Sequence, residues 1–77
     1  MNDYADRADR YLILIEGGPP SNYSAWSPDL PGCVATGDTV ASVEREIRDA
    51  IRFHIDGLKE DVLPVPQPTS SVEYVEA

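Results

Sequence analysis

His54 and Cys33 are the single imidazole and the single thiol of this 77-residue chain. A thiol becomes a nucleophile beside a base or at a helix N-terminus, and Cys33, after Gly32 at the start of a strand-like run, has neither in view. His54 falls on the apolar side of a helical pattern, between Ala50 and Leu58, where a packed, hydrogen-bonded ring is expected. No Ser, Cys or Asp stands at a spacing that implies a triad. One Cys and one His fall short of the three or four protein ligands of a typical zinc site. Two-metal chemistry on nucleic acid needs carboxylates that converge on a pair of Mg²⁺ ions, one of them from the middle of a first strand. Here that strand reads Tyr11-Leu12-Ile13-Leu14-Ile15, with Glu16 only at its end. The expectation is a chain with no catalytic site, no metal and no cofactor.

Recognition is the chemistry left. Trp26 leads into Ser27-Pro28-Asp29-Leu30-Pro31-Gly32, a turn stiffened by two prolines. A rigid loop that carries an aromatic ring and an acid loses little entropy when it binds. Glu73 and Glu76 lie in a late strand-like run. Trp26, Asp29, Glu73 and Glu76 are therefore the candidate partner-binding residues.

Fourteen acids against six bases give a formal charge of −8. Nucleic-acid binding depends on Lys and Arg at phosphates, so direct contact with DNA or RNA is not expected; a basic protein partner is favoured by opposite fields. The acidic, polar start, Met1-Asn2-Asp3-Tyr4-Ala5-Asp6-Arg7, is unlike a signal peptide. No apolar run approaches the roughly 20 residues of a spanning helix. A lone Cys suits a reducing compartment. These features lead to the expectation of a cytoplasmic protein away from membranes.

Residues 1–9 are polar without periodicity and read as a flexible acidic tail, with one domain over residues 10–77. Residues 10–16 form a first strand, apolar on both faces. Gly17-Gly18-Pro19-Pro20-Ser21-Asn22 is a turn signal, so residues 22–27 return antiparallel. Residues 33–37 make a short third strand. Thr39 is placed to cap a helix, with Asp38 beside it. From Val40 the period is helical: Val40, Val43, Ile47, Ala50, Ile51, His54, Ile55 and Leu58 share an arc of roughly 140°. Phe53 falls outside that arc. The helix should fray near Val62, because the alternate prolines Pro64, Pro66 and Pro68 force an extended bridge. Residues 71–76 then read as a final edge strand.

The order is β-β-β-α-β, an α+β fold: an antiparallel three-stranded meander, a helix on one face, and a last strand at a sheet edge. One helix covers one face, yet the first strand is apolar on both. A domain this small is marginal alone, and a second copy of the chain is the expected cover, as a dimer or higher oligomer. The strand order is that of a partial ribonuclease-H-like sheet.

Residues 23–69 also resemble the HicB family of bacterial antitoxins. The carriers are Tyr23-Ser24-Ala25-Trp26-Ser27-Pro28-Asp29-Leu30-Pro31-Gly32-Cys33, then Gly37-Asp38-Thr39 and Ile47-Arg48-Asp49-Ala50-Ile51. His54-Ile55-Asp56-Gly57-Leu58 and the bridge Pro64-Val65-Pro66-Gln67-Pro68 complete the set. The resemblance implies a partial ribonuclease-H fold without nuclease activity that self-associates. It also implies a partner, a small basic HicA-like toxin that cleaves messenger RNA and is masked by the antitoxin. Many members carry a further helix-turn-helix or ribbon-helix-helix domain for operator DNA. The 77 residues hold no such segment, which points to a HicB-like domain without direct DNA binding. The alternative function is a stand-alone HicB-like oligomeric scaffold or regulator with no toxin.

Overall fold

The computed structural model describes residues 10–77; the tail expected over residues 1–9 lies outside the described residues. Three short strands, β1 (Leu14–Gly17), β2 (Tyr23–Trp26) and β3 (Val34–Gly37), precede one long helix, α1 (Val40–Glu60). The sheet order is β1-β2-β3, antiparallel throughout, so the α+β meander-and-helix expectation holds. Ile15 pairs with Ala25 and Ala25 with Ala35, and this row faces the helix. Strand side chains alternate between faces, so the neighbouring row looks the other way.

The core lies between the sheet and α1. Ala25, Leu30, Cys33, Val43 and Ile47 are buried, and Tyr11, Ile13, Ile15, Tyr23, Ala35, Ala50 and Ile51 pack around them. Leu30 reaches this core from a loop. Its amide donates to Ser27 O at 3.2 Å and its carbonyl accepts from the Cys33 amide at 3.1 Å, which folds the loop so that the side chain turns inward. Cys33 is a buried thiol, and desolvation pushes its pKa up, the inert state expected of a packed cysteine. His54 is half-buried on the apolar side of α1, and Phe53 is 82% exposed on the outer side.

Thr39 caps α1 as expected. Its hydroxyl accepts from the Ser42 amide at 3.0 Å, while the Thr39 amide donates back to Ser42 Oγ at 3.0 Å, a reciprocal capping box. The other end closes in a Schellman arrangement, with Val62 N–H on Lys59 O and Leu63 N–H on Leu58 O. That geometry puts Val62 at φ 54°, a left-handed conformation costly for a side chain branched at Cβ. Val62 is 89% exposed, so its side chain contributes little packing in return. Val62→Gly is expected to stabilise the domain by about 1 kcal/mol, the relief of strain exceeding the added freedom of the unfolded chain. Urea unfolding at fixed protein concentration measures it.

One expected element is missing. Residues 71–76 form no strand; the chain beyond Val62 carries no regular structure, and residues 69–77 are exposed throughout. The reason lies upstream. Tyr11 Oη donates to Pro66 O at 2.6 Å, and Asp29 then takes hold of Thr69 and Ser70. The bridge thus crosses the approach to β1 and ends at the β2–β3 loop instead of running along a sheet edge.

Candidate partner-binding surface

On the sheet face away from α1, the register lines up Leu14, Trp26 and Val34 in a single row across all three strands. Trp26 is 37% exposed and Val34 65%, so this apolar row is open to solvent. The next row, Glu16, Ser24 and Thr36, is polar. Trp26 Nε1 donates to Glu16 Oε1 at 3.2 Å. That bond fixes the indole against the sheet and leaves an acid at its edge, an arrangement suited to a partner with apolar and basic groups side by side. The second apolar face expected of the first strand is therefore present, and it belongs to the whole sheet. Composition alone could not show that Leu14 and Val34 flank Trp26, because that depends on register.

Asp29 has an internal role. Its Oδ1 accepts from Thr69 Oγ1 at 3.1 Å and from Ser70 Oγ at 2.9 Å, and its Oδ2 accepts from the Ser70 amide at 3.1 Å. Desolvation is the largest single influence and raises the carboxyl pKa, but the hydrogen bonds from Ser70 and Thr69 together outweigh it and hold the value below the ordinary one. A lowered folded pKa means the clamp is fully present above the ordinary carboxylate range near pH 4 and is lost as pH falls through the lowered value. The Ser70 amide resonance should therefore titrate at a pH below that range, and Asp29→Asn should abolish the titration.

Glu73 and Glu76 sit on the exposed segment that begins where this clamp ends. The four candidate residues are thus not gathered into one site. Trp26 is on the open sheet face, Asp29 is a tether, and the two glutamates ride on the segment it tethers. Among the described residues, no three His, Cys, Asp or Glu side chains lie together as a metal site would require. No helix among them is long and apolar enough to cross a membrane.

A second surface lies on the other side of the molecule, between α1, the approach to β1 and the proline bridge. It is an open groove of about 850 Å³ with an apolar floor that includes Ile13, Ile51 and Ile55. Arg10, Arg48, Arg52 and Lys59 stand around it, four of the six cationic residues in an acidic chain, against Glu44 and Asp56. Glu44 and Arg48 pair with each other at 2.9 Å across one helical turn. The helical period places Arg48, Arg52 and Lys59 on neighbouring turns, but nothing in the spacing brings Arg10 beside them.

The comparisons with known proteins agree with this architecture. Residues 11–77 match the family described as HicB-like antitoxin of bacterial toxin-antitoxin system. The chain is also similar to an uncharacterized 14.9 kDa protein in the rep-hol intergenic region of Haemophilus phage HP1 (strain HP1c1), with 38% identity over 65 residues. That match takes in 84% of this chain and 48% of the phage protein, so the chain spans about half the length of this relative. With the family match running from the approach to β1 through Ala77, the chain belongs to the HicB-like antitoxins of bacterial toxin-antitoxin systems.

Proposed function

We propose that this chain is the antitoxin of a type II toxin-antitoxin pair, and that it works by binding and masking a small basic HicA-like toxin that cleaves messenger RNA. The observation that carries the reading is the family match over residues 11–77. Charge supports it: an excess of eight negative charges draws a basic protein and repels nucleic acid. The open row of Leu14, Trp26 and Val34, with Glu16 at its edge, supplies an aromatic anchor of the kind that dominates protein interfaces. Glu73 and Glu76, held near the body through Asp29, add acids for the toxin's basic surface. The chain acts by steric cover and not by catalysis, in the cytoplasm, and as a dimer or higher oligomer.

The test is co-expression with the short reading frame beside this gene, followed by affinity capture. The expected result is a small basic protein that arrests growth alone and is silent beside this chain. Val34→Arg, at an exposed position that puts a cation on the row, should then weaken capture by about thirtyfold or more without unfolding the domain. A neighbour that is absent, harmless or unbound would turn the reading toward an oligomeric scaffold without a toxin.

A further inference from the structure

Residues 71–77 have the composition of a strand and pair with no strand among the described residues. Val72, Tyr74 and Val75 are 54%, 96% and 88% exposed, an unusual state for a run of β-branched and aromatic residues in so small a domain. In an extended chain Val72, Tyr74 and Glu76 share one face, while Ser71, Glu73 and Val75 share the other. The first face is therefore two apolar side chains followed by an acid.

The basic groove beside β1 has the matching pattern. Its floor is apolar, its rim carries more cations than acids, and it borders the approach to β1, an edge strand whose outer side pairs with nothing among the described residues. In the single copy this segment does not enter its own groove. Val65 and Gln67 of its bridge already line one wall, and the Asp29 clamp then carries residues 69 and 70 to the β2–β3 loop. Ser71 and Val72 then border a hollow shared with Arg10, Tyr11 and Leu12 of the same chain, and the segment is exposed to its end.

We infer that residues 71–77 of one copy lie along β1 of a second copy, with Val72 and Tyr74 on the groove floor and Glu76 among the rim cations. The exchange is reciprocal, as a two-fold dimer requires. An added strand would satisfy the open edge of β1, and Glu76 would meet Arg10, Arg52 and Lys59 in a chain where cations are scarce. Glu73 would face away from the groove and stay open to a toxin, while Glu76 would serve the dimer in place of the toxin contact proposed above. This arrangement rests on the self-association proposed above but not on the existence of a toxin.

Two measurements on the full chain test it. Tyr74→Ala removes a side chain that touches almost nothing in the single copy, so folding should be unchanged, while the dimer dissociation constant in sedimentation rises about thirtyfold or more. Arg52→Glu should weaken the dimer and Glu76→Arg in the same chain should restore it. In parallel, Tyr74→Cys and Ile55→Cys chains with different tags are mixed and oxidised. The buried native Cys33 stays out of the reaction, with wild-type chains as control. A disulfide between differently tagged chains is expected. No disulfide between differently tagged chains, or a dimer indifferent to Tyr74→Ala, overturns the exchange and leaves the antitoxin reading intact. A monomer at every concentration removes both the exchange and the proposed self-association. Loss of toxin capture in Tyr74→Ala with an unchanged dimer would assign the segment to the toxin and equally overturn the exchange.

Discussion

Leu30→Ala is expected to lower the unfolding free energy by about 2–5 kcal/mol, the range for a large side chain removed from a packed interior. Leu30 is fully buried and is the largest of the side chains so enclosed, together with Ile47 and Val43. It lies in a loop pinned by hydrogen bonds at both of its backbone groups, so the backbone has little freedom to collapse into the space left behind. A domain of this length typically has a stability of about 4–12 kcal/mol in all. The substitution should therefore bring a substantial unfolded fraction into view at 37 °C, readable by urea denaturation at fixed protein concentration. Pro28→Ala and Pro31→Ala, which leave Leu30 in place, should cost far less. If they cost as much, the loop's stiffness and not its buried anchor holds this end of the sheet together.

The second large effect is expected at Gly37, where β3 meets the start of α1. A Cβ built there would lie 2.6 Å from Ser42 Oγ, 2.7 Å from Val43 N and 3.0 Å from Val43 Cα. Two of those atoms are backbone and cannot swing aside. The third is engaged on both sides, because Ser42 Oγ accepts from the Thr39 amide and donates to the Thr39 carbonyl. Gly37→Ala must push α1 off the sheet or break the capping box. Overpacking and a lost cap together come to about 2–4 kcal/mol. Ser42→Ala in the same chain separates the two: it removes the hydroxyl, so any cost of Gly37→Ala that persists there belongs to the backbone of Val43.

Much of this fold was legible in the sequence because its signals are local. The Gly-Gly-Pro-Pro turn separates two strands, Thr39 announces the helix, and the helical period places Val43 and Ile47 inside, where they are found. The predicted strands were one to four residues too generous at most ends, and the first stopped one residue short of Gly17, since pairing partners decide where a ladder stops. Residues 71–76 show why pattern is not enough. Their alternation states which side chains share a face, but a strand also needs a free edge within reach. The Asp29 clamp, which spans 40 and 41 residues of sequence, holds their start at the β2–β3 loop, and they pair with no edge among the described residues. The same distance hid the role of Asp29, which reads in sequence as a free acid at a loop tip. The basic groove was hidden likewise: the chain's charge is strongly negative, and only folding brings Arg10 to the cations of α1.

Trp26 is the one indole in the chain, and it stands half in water on the open sheet face. Its fluorescence is therefore a built-in gauge of that face and of no other. A partner that covers the row would exclude water from the ring, shift its emission to shorter wavelength and disturb its bond to Glu16. Events in the groove on the far side of the sheet would leave the colour unchanged. Titrations of the unlabelled protein can thus tell which of its two surfaces a partner has taken.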